Sequence, residues 1–332
     1  MKKKHTALAL LLASTLAAGA AEAPKRVLVC TTTMGYRHPS IPYGEEALAA
    51  LDAASPEFEI VTWVRQPEIE VPKPPRPPRQ PDAKADQAEL EKYNAAKAEH
   101  KEAMAKWNRE VKPEADRKAA ELDAAMKKAL APLDPQALRD NRVDAVIFCN
   151  TSGNLPLPDL EGFAQWVRDG GNYIGMHAGS DTLKDALSYT EMLCGIFDGH
   201  GPQVPATLHA GDKEHPANGG IGDVWTLSQE EMYRIKAHDR DKVRSIWFMR
   251  HDPNKTEEKG FFPVAWVRGY GDGRVFYTTL GHREDLWSID PDLKDRINPV
   301  ETAAQFRNHI LGGIRWALGL APGSSEPNPA TN

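Results

Sequence analysis

The chain has 332 residues, of which 41% are hydrophobic, so it is long enough to bury the core of one large domain or two small ones. Its formal net charge of −6 argues against a nucleic-acid partner, because such binding needs a basic surface. The three cysteines, Cys30, Cys149 and Cys194, are too few for a disulfide framework, and we predict buried free thiols at Cys30 and Cys149.

Residues 1–20 are predicted to be a signal peptide. "MKKKH" is a basic start, "TALALLLASTLAA" is an apolar stretch, and "AGA" at 18–20 matches a cleavage site. The apolar stretch is too short to span a bilayer, and no cysteine follows it for a lipid anchor. We therefore predict a periplasmic or secreted protein without membrane insertion. Cleavage would remove three lysines and no acid, which leaves a net charge of −9.

Strands alternate with helices in the first half of the chain. The predicted strands, all apolar runs, are residues 26–30, 58–64, 143–149 and 172–176. Helices are predicted over residues 45–51 and from the N-cap Asp159 to a glycine stop at Gly170. Alternation of this kind predicts right-handed βαβ units and an open parallel sheet.

An insertion over residues 66–140 interrupts this pattern. It begins with the proline-rich "PEIEVPKPPRPPRQP", which we expect to be extended and stiff. Two apolar stripes separated by Pro113 then predict a helical hairpin. This arm either packs on itself in solvent or binds a partner, which includes a second copy of the chain.

The second half is richer in strands. The predicted strand regions are "VPATLHA", "DVWTLSQEEMYRI", "VRSIWFM" and "FPVAWVRGYGDGRVFYTTL", the last folded back at Gly271-Asp272-Gly273. A final helix places Phe306, Ile310 and Ile314 on one face. The tail over residues 321–332 is predicted to be disordered.

The stretch "GNYIGMHAGSD" predicts a strand that runs into a tight turn. Glycines flank its centre in the pattern G-x-H-x-G, from Gly175 to Gly179. Hydrolases and amidotransferases with this arrangement hold a serine or cysteine nucleophile at the centre. Here the centre is His177, which leaves chemistry, metal binding and packing as alternatives.

Several motifs together resemble the trehalose-utilization, or ThuA-like, family. They include "VLVCTTTMGYRHPSI", "AVIFCNTSG", "WVRDGGNYIGMHAGSD", "LCGIFDGHG" and "GIRWALG", and the resemblance covers residues 25–320 apart from the arm. It implies a flavodoxin-like α/β three-layer sandwich, similar to class I glutamine amidotransferases, with a mostly parallel sheet and antiparallel additions. Because His177 stands where that fold has its catalytic cysteine, glutamine hydrolysis is not expected. The family's link to disaccharide catabolism implies a sugar ligand.

Four histidines fall in the region where a ligand would bind: His38 and His282 follow predicted strands, His177 is the centre of the turn, and His200 lies in "FDGHG". Ligands of open α/β sheets bind beyond the carboxyl ends of the strands, so we expect His38, His177, His200 and His282 to converge there. Imidazoles are common ligands of zinc and similar divalent metals, and such a metal would activate water or polarise a carbonyl group. The alternatives are a pocket without catalysis and metal-free acid/base chemistry.

In the metal-free alternative His177 pairs with a carboxylate, Asp181 or Glu231. The predicted substrate-binding residues are Arg37, His38, Asn150, Ser152 and Tyr233. Trp266 and Trp287 are candidates for stacking on a sugar, with core packing favoured for Trp266. His209, His215 and His238 are predicted to be structural.

The sequence therefore favours an exported enzyme that acts on a disaccharide, a glycoside or a keto-sugar by hydrolysis, elimination or isomerisation. One alternative is a non-catalytic carbohydrate-binding protein on the same scaffold. Another is an assembly protein that self-associates through the arm.

Overall fold

The computed structural model describes residues 23–82, 84–252 and 254–329. The signal peptide predicted at residues 1–20 therefore lies outside the described residues. Within the described ranges, no helix combines the length and the apolar character that crossing a membrane requires.

A nine-stranded mixed sheet organises the chain. The strands are β1 (Lys25–Cys30), β2 (Phe58–Val64), β3 (Ala145–Cys149), β4 (Asn172–Met176), β5 (Ile196–His200), β6 (Val204–Ala210), β7 (Val224–Glu230), β8 (Tyr233–Lys236), β9 (Arg244–Asp252), β10 (Lys255–Tyr270) and β11 (Gly273–Thr278). Their order in the sheet is β2-β1-β3-β4-β11-β10-β9-β6-β7, and β5 pairs with β8 separately.

The first five strands of this order are parallel, and the remaining four add to them in antiparallel fashion. The parallel part has the flavodoxin-like strand order. The chain first adds β2 on one side of β1 and then adds β3, β4 and β11 on the other side, so the switch point of the sheet lies between β1 and β3. The predicted mixed α/β fold is confirmed, including the antiparallel additions from the second half.

Helices cover both faces of the sheet. They are α1 (Ile41–Ala53), α2 (Gln87–Glu110), α3 (Lys112–Leu130), α4 (Pro135–Asp140), α5 (Leu160–Arg168), α6 (Leu187–Leu193), α7 (Glu284–Trp287) and α8 (Val300–Ala317). Successive side chains of a strand point to opposite faces. Ile147 of β3 accordingly joins the core under α1 and α8, whereas Phe148 joins the core under α3, α5 and α6.

Local signals placed several boundaries correctly. β2 and β6 coincide with the predicted runs, and Asp159 caps α5 by accepting a hydrogen bond from the Gly162 amide at 2.8 Å. The hairpin between β10 and β11 turns at Gly271, which has a φ of +63°. The run "DVWTLSQEEMYRI", however, divides into β7 and β8, which belong to different sheets.

The arm consists of α2 and α3 with only Val111 between them. The Val111 amide donates to the Trp107 carbonyl and the Ala115 amide donates to the Val111 carbonyl, both at 2.9 Å, so helical hydrogen bonding extends across the junction and the hairpin turn predicted around Pro113 does not form. Pro113 lies in the first turn of α3, where its missing amide hydrogen leaves no helical bond unmade. α3 contributes Met126 and Leu130 to the core. α2 buries no residue completely, and Nε2 of His100 donates to the Pro75 carbonyl at 3.1 Å. The arm therefore packs against its own proline-rich segment.

The end of the chain differs from the predicted disordered tail. Asn328 donates through its amide to the carbonyls of Gly211 and Ser245, both at 3.1 Å, and accepts from the Ser245 amide at 2.7 Å. The Trp316 ring also donates to the Gly323 carbonyl at 3.0 Å. These bonds hold the described part of the tail against the sheet, a long-range pairing that composition cannot indicate.

Candidate metal centre

Three histidines and one glutamate meet at the carboxyl edge of the parallel strands. His38 lies between β1 and α1, His177 follows β4 directly, and His282 lies between β11 and α7. Glu231 stands in the break between β7 and β8. Crossing from one sheet to the other turns Glu231 toward the histidines. The predicted convergence at this edge is therefore present for three of the four histidines.

The turn after β4 fixes the His177 ring. His177 has a φ of +46°, a left-handed conformation that is uncommon for a residue with a side chain, and its side chain is completely buried. Its Nδ1 donates to the Thr279 carbonyl at 2.7 Å. The Tyr277 hydroxyl donates to the His177 carbonyl at 2.5 Å. With Nδ1 so engaged, the Nε2 atom of the neutral ring presents its lone pair to the cluster.

The distances within the cluster are short. Nε2 of His177 lies 3.2 Å from Nε2 of His38 and 3.6 Å from Oε2 of Glu231. The same Oε2 lies 3.1 Å from Nδ1 of His282. All four candidate ligand atoms lie within 4.8 Å of one another.

These residues fit a divalent metal such as zinc. Imidazole and carboxylate are its usual ligands, at about 2.0–2.1 Å from the ion, which places two tetrahedral ligand atoms about 3.3 Å apart. Three of the six separations, 3.1, 3.2 and 3.6 Å, bracket that value, and all six lie within 4.8 Å. A histidine that binds a metal through one ring nitrogen usually donates a hydrogen bond from the other to a carbonyl or carboxylate. The bond from Nδ1 of His177 to the Thr279 carbonyl is of this kind.

The protonation states of His38 and His177 suit metal ligands, whereas that of His282 opposes binding. Burial lowers the pKa of His38 to about 2, and burial also lowers the pKa of His177, so both rings are neutral. Burial alone would lower the pKa of His282, but the Glu231 and Glu230 carboxylates outweigh it and the pKa is raised. Burial opposes ionisation of Glu231, yet His177 and His282 hold its pKa well below the ordinary value.

Glu230 supports the loop that carries His282. Its Oε1 accepts from the amides of Gly281 at 3.2 Å and His282 at 2.7 Å, and its Oε2 accepts from the Arg283 amide at 3.3 Å. The side chain is completely buried, and this burial raises its pKa to about 7. Glu230 therefore positions the loop of His282 and does not present its carboxylate to the cluster.

His200 and Asp181 lie outside the group of four. Nδ1 of His200 is 3.0 Å from Oε1 of Glu231, on the oxygen that faces away from the other histidines, and its side chain is 42% exposed. Glu231 takes the fourth position for which His200 was predicted. Asp181 pairs with Lys184 at 2.5 Å, so the carboxylate beside His177 is that of Glu231.

Tyr233 and Arg37 lie next to the cluster. The Tyr233 hydroxyl is 2.9 Å from Nε2 of His177, and the two rings stack with their centroids 4.3 Å apart. Nη1 of the exposed Arg37 donates to the Thr31 carbonyl at 3.0 Å. The Tyr36 ring, which is 60% exposed, meets His38 edge-on at 4.7 Å.

Asn150 and Ser152 brace loops. The amide of Asn150 donates to Oγ of Ser40 and to the Gly281 carbonyl, both at 2.9 Å, and thereby joins the loops that carry His38 and His282. The Ser152 hydroxyl donates to the Tyr36 carbonyl at 2.7 Å. Both side chains are buried, so these donors are already engaged within the protein.

The remaining candidates serve the fold. The Trp266 ring is completely buried and donates to the Leu193 carbonyl, and the equally buried Trp287 donates to the Gly281 carbonyl. His215 accepts from the Ala217 amide, and His238 donates to the Cys194 carbonyl. All three cysteines are buried and free.

Sequence reasoning missed two groups that hold the cluster, the Thr279 carbonyl and the Tyr277 hydroxyl. Both lie at the end of β11, whose pairing with β4 brings residues about 100 positions away beside His177. A tyrosine beside the apolar residues of this strand was the one available signal, and it indicated only a buried hydroxyl in need of a partner.

Comparisons with known proteins agree with this fold. The sequence model of the ThuA family, described as trehalose utilisation, matches residues 93–317. A solved ThuA-like protein from Bacteroides uniformis shares 15% identity at a TM-score of 0.54, covering 91% of this chain and 94% of its own. One from Parabacteroides merdae shares 17% identity at a TM-score of 0.53, covering 93% and 96%. No curated protein matches the sequence. The family resemblance predicted from the motifs is confirmed.

Proposed function

The chain belongs to the trehalose utilisation family, ThuA, and we propose that it is a metal-dependent enzyme of carbohydrate catabolism. The observation that carries this proposal is the buried group of His38, His177, Glu231 and His282. Family membership supports the sugar-related role, and the group supplies a chemical centre where the fold places its ligands.

The four residues would hold a zinc ion or a similar divalent metal. When bound, such an ion polarises a carbonyl group or lowers the pKa of a water molecule. The protein supplies the rest. Glu231 accepts or returns a proton through Oε1, which His200 contacts at 3.0 Å on the exposed side. The Tyr233 hydroxyl donates to Nε2 of His177 at 2.9 Å, and it would be released to donate to a substrate oxygen when that nitrogen holds a metal.

The substrate we propose is a disaccharide, a glycoside or a keto-sugar, changed by hydrolysis, elimination or isomerisation. The exposed Tyr36 ring beside His38 provides an apolar face for a sugar, and Arg37 provides hydrogen-bond donors. We also propose export, supported by the signal-like sequence of residues 1–20. His177 lacks the nucleophilic thiol that glutamine hydrolysis needs.

A second candidate is metal-free acid/base catalysis. The 3.1 Å contact between Glu231 and His282 favours it, because a carboxylate beside a histidine of raised pKa forms an acid/base pair. The two mechanisms make opposite demands: the metal requires a neutral His282, whereas the acid/base pair uses the protonated form.

Chelation separates these candidates. The purified protein is assayed on trehalose, other disaccharides and their keto derivatives before chelation, after chelation and after zinc or manganese is restored. The proposal predicts turnover that disappears and returns, and no turnover in Glu231→Gln. His209→Gln, which changes a histidine on β6 outside the cluster, is the matched control. Turnover that persists after complete metal removal would support acid/base catalysis instead. Sugar binding without turnover in every metal state would support the non-catalytic alternative.

A further inference from the structure

The proline-rich segment forms a basic ribbon along α2, which we define as residues 72–81. Every third residue of it is half-buried, namely Pro72, Pro75, Pro78 and Pro81. This period is that of a polyproline II helix, which has three residues per turn. Lys73, Arg76 and Arg79 follow one another at the same period, and all three are exposed. With a rise of about 3.1 Å per residue, their charges recur roughly every 9 Å.

A cavity of about 580 Å³ lies between the ribbon and α2. Lys97, His100 and Lys101 of the helix line it, together with Tyr93, and no acidic residue is among its lining residues. The His100 ring donates to the Pro75 carbonyl and thereby ties the ribbon to the helix. The ribbon and this cavity together form what we call the basic groove.

The cations of the basic groove are not neutralised by neighbours. Across the described residues, no ion pair involves Lys73, Arg76, Arg79, Lys97 or Lys101, although Nζ of Lys97 lies 5.6 Å from the centroid of the Tyr93 ring. The adjacent α3 behaves differently, since it pairs Lys112 with Asp116, Arg117 with Glu114 and Glu121, and Lys127 with Asp123. On a chain of net negative charge, the groove thus concentrates available positive charge.

We propose that the basic groove binds an acidic polysaccharide. A linear row of cations matches a linear polymer with a carboxylate or sulfate on each repeat, and charge complementarity supplies the attraction. The Tyr93 ring and the flat faces of the prolines suit the apolar faces of sugar rings. The ribbon is stiff before binding, so little conformational entropy is lost when the polymer docks.

Nucleic acid fits the groove less well. Single-stranded nucleic acid is bound by successive aromatic side chains on which bases stack. Among the described residues, the cavity lining contains only two aromatic rings, Tyr93 and His100, and the His100 ring is already bonded to the Pro75 carbonyl. This surface does not depend on the metal centre, because none of its residues belongs to the cluster of His38, His177, Glu231 and His282. The proposal therefore goes beyond the catalytic function and can fail or succeed independently.

The experiment is a binding titration of the full-length purified protein with alginate, a polyuronate, and with dextran as the neutral polymer. Calorimetry at two or three salt concentrations measures affinity for the wild type and for two double variants, R76Q/R79Q and K97Q/K101Q. The matched control is K112Q/K127Q, which removes two cations that are already paired on α3. A single-stranded oligonucleotide tests the other kind of polyanion, and light scattering follows self-association.

We expect alginate to bind, dextran not to bind, and affinity to fall as salt rises. Each groove variant is expected to lose about tenfold in affinity, and the α3 control less than about twofold. Circular dichroism checks that the variants are folded, as their exposed positions predict. Equal affinity in all variants, tighter binding of the oligonucleotide than of alginate, no binding, or a dimer that the groove variants dissociate would each overturn the proposal.

Discussion

Replacing Glu230 with glutamine should change how the stability of the metal-free protein depends on pH. Burial raises the pKa of Glu230 from 4.5 to about 7 in the folded protein. Between these two values the folded chain retains a proton that the unfolded chain has released. The free energy of unfolding therefore falls as pH rises through this window, by roughly 3 kcal/mol if the full pKa difference is expressed. Glutamine cannot ionise, so Glu230→Gln removes this contribution.

The Glu230→Gln variant should also lose some stability at every pH, because it loses a hydrogen bond. If the amide oxygen of glutamine takes the place of Oε1, the bonds from the Gly281 and His282 amides remain, and the 3.3 Å bond from the Arg283 amide is lost. An unsatisfied buried amide costs about 1–3 kcal/mol at every pH. The variant should thus lie below the wild type near pH 4.5 and recover roughly 3 kcal/mol relative to it by pH 7.5.

Urea unfolding in the presence of a chelator, repeated at half-unit steps from pH 4.5 to 7.5, measures this difference. Taking the difference between variant and wild type cancels the titrating groups that Glu230 does not influence. His282 does not cancel, because Glu230 helps to raise its pKa; losing that effect destabilises the variant at low pH and so changes the difference in the same direction. Glu99→Gln, at an exposed position of α2, is the matched control. A difference between Glu230→Gln and the wild type that is constant over this range, or that changes in the opposite direction, would refute the reasoning.

Three further predictions follow from the same contacts. Zinc affinity should decline by about tenfold per pH unit below the raised pKa of His282, because zinc binding displaces the proton of that ring. Calorimetry in buffers of different ionisation enthalpy measures the number of protons released, and binding without proton release would contradict this prediction. Tyr277→Phe removes the donor to the His177 carbonyl and should weaken zinc binding about tenfold or more, whereas unchanged affinity would show that the turn holds itself. Asp159→Ala removes the cap of α5 and should cost about 1 kcal/mol in urea unfolding while zinc affinity stays unchanged.

The parallel half of the fold could be predicted because its signals are local. The apolar runs of β2 and β4 and the cap at Asp159 need no knowledge of distant residues. The division of "DVWTLSQEEMYRI" could not be predicted, since strand propensity is continuous across it. β7 ends at Glu230 because the chain there leaves the large sheet and pairs with β5 as strand β8. This pairing depends on tertiary structure.

The candidate site was predictable to the level of the strand end. His38, His177 and His282 follow strands of one parallel sheet, so topology alone brings them together. The direction of a loop side chain is a different matter. His200 ends β5 and Asn150 follows β3, yet neither joins the group of four. The His200 ring is 42% exposed and bonds the adjacent Gly201 carbonyl, whereas hydrogen bonds between loops orient Asn150.

The measurement that tests the metal centre most directly is an anomalous difference map at the zinc absorption edge. Crystals of the wild type and of Glu231→Gln are grown with zinc chloride and measured under the same conditions. A peak among Nε2 of His38, Nε2 of His177, Oε2 of Glu231 and the His282 ring is predicted for the wild type. The variant should show a weaker peak there or none. A wild-type map with no peak at this position, or with zinc bound only elsewhere, would contradict the account.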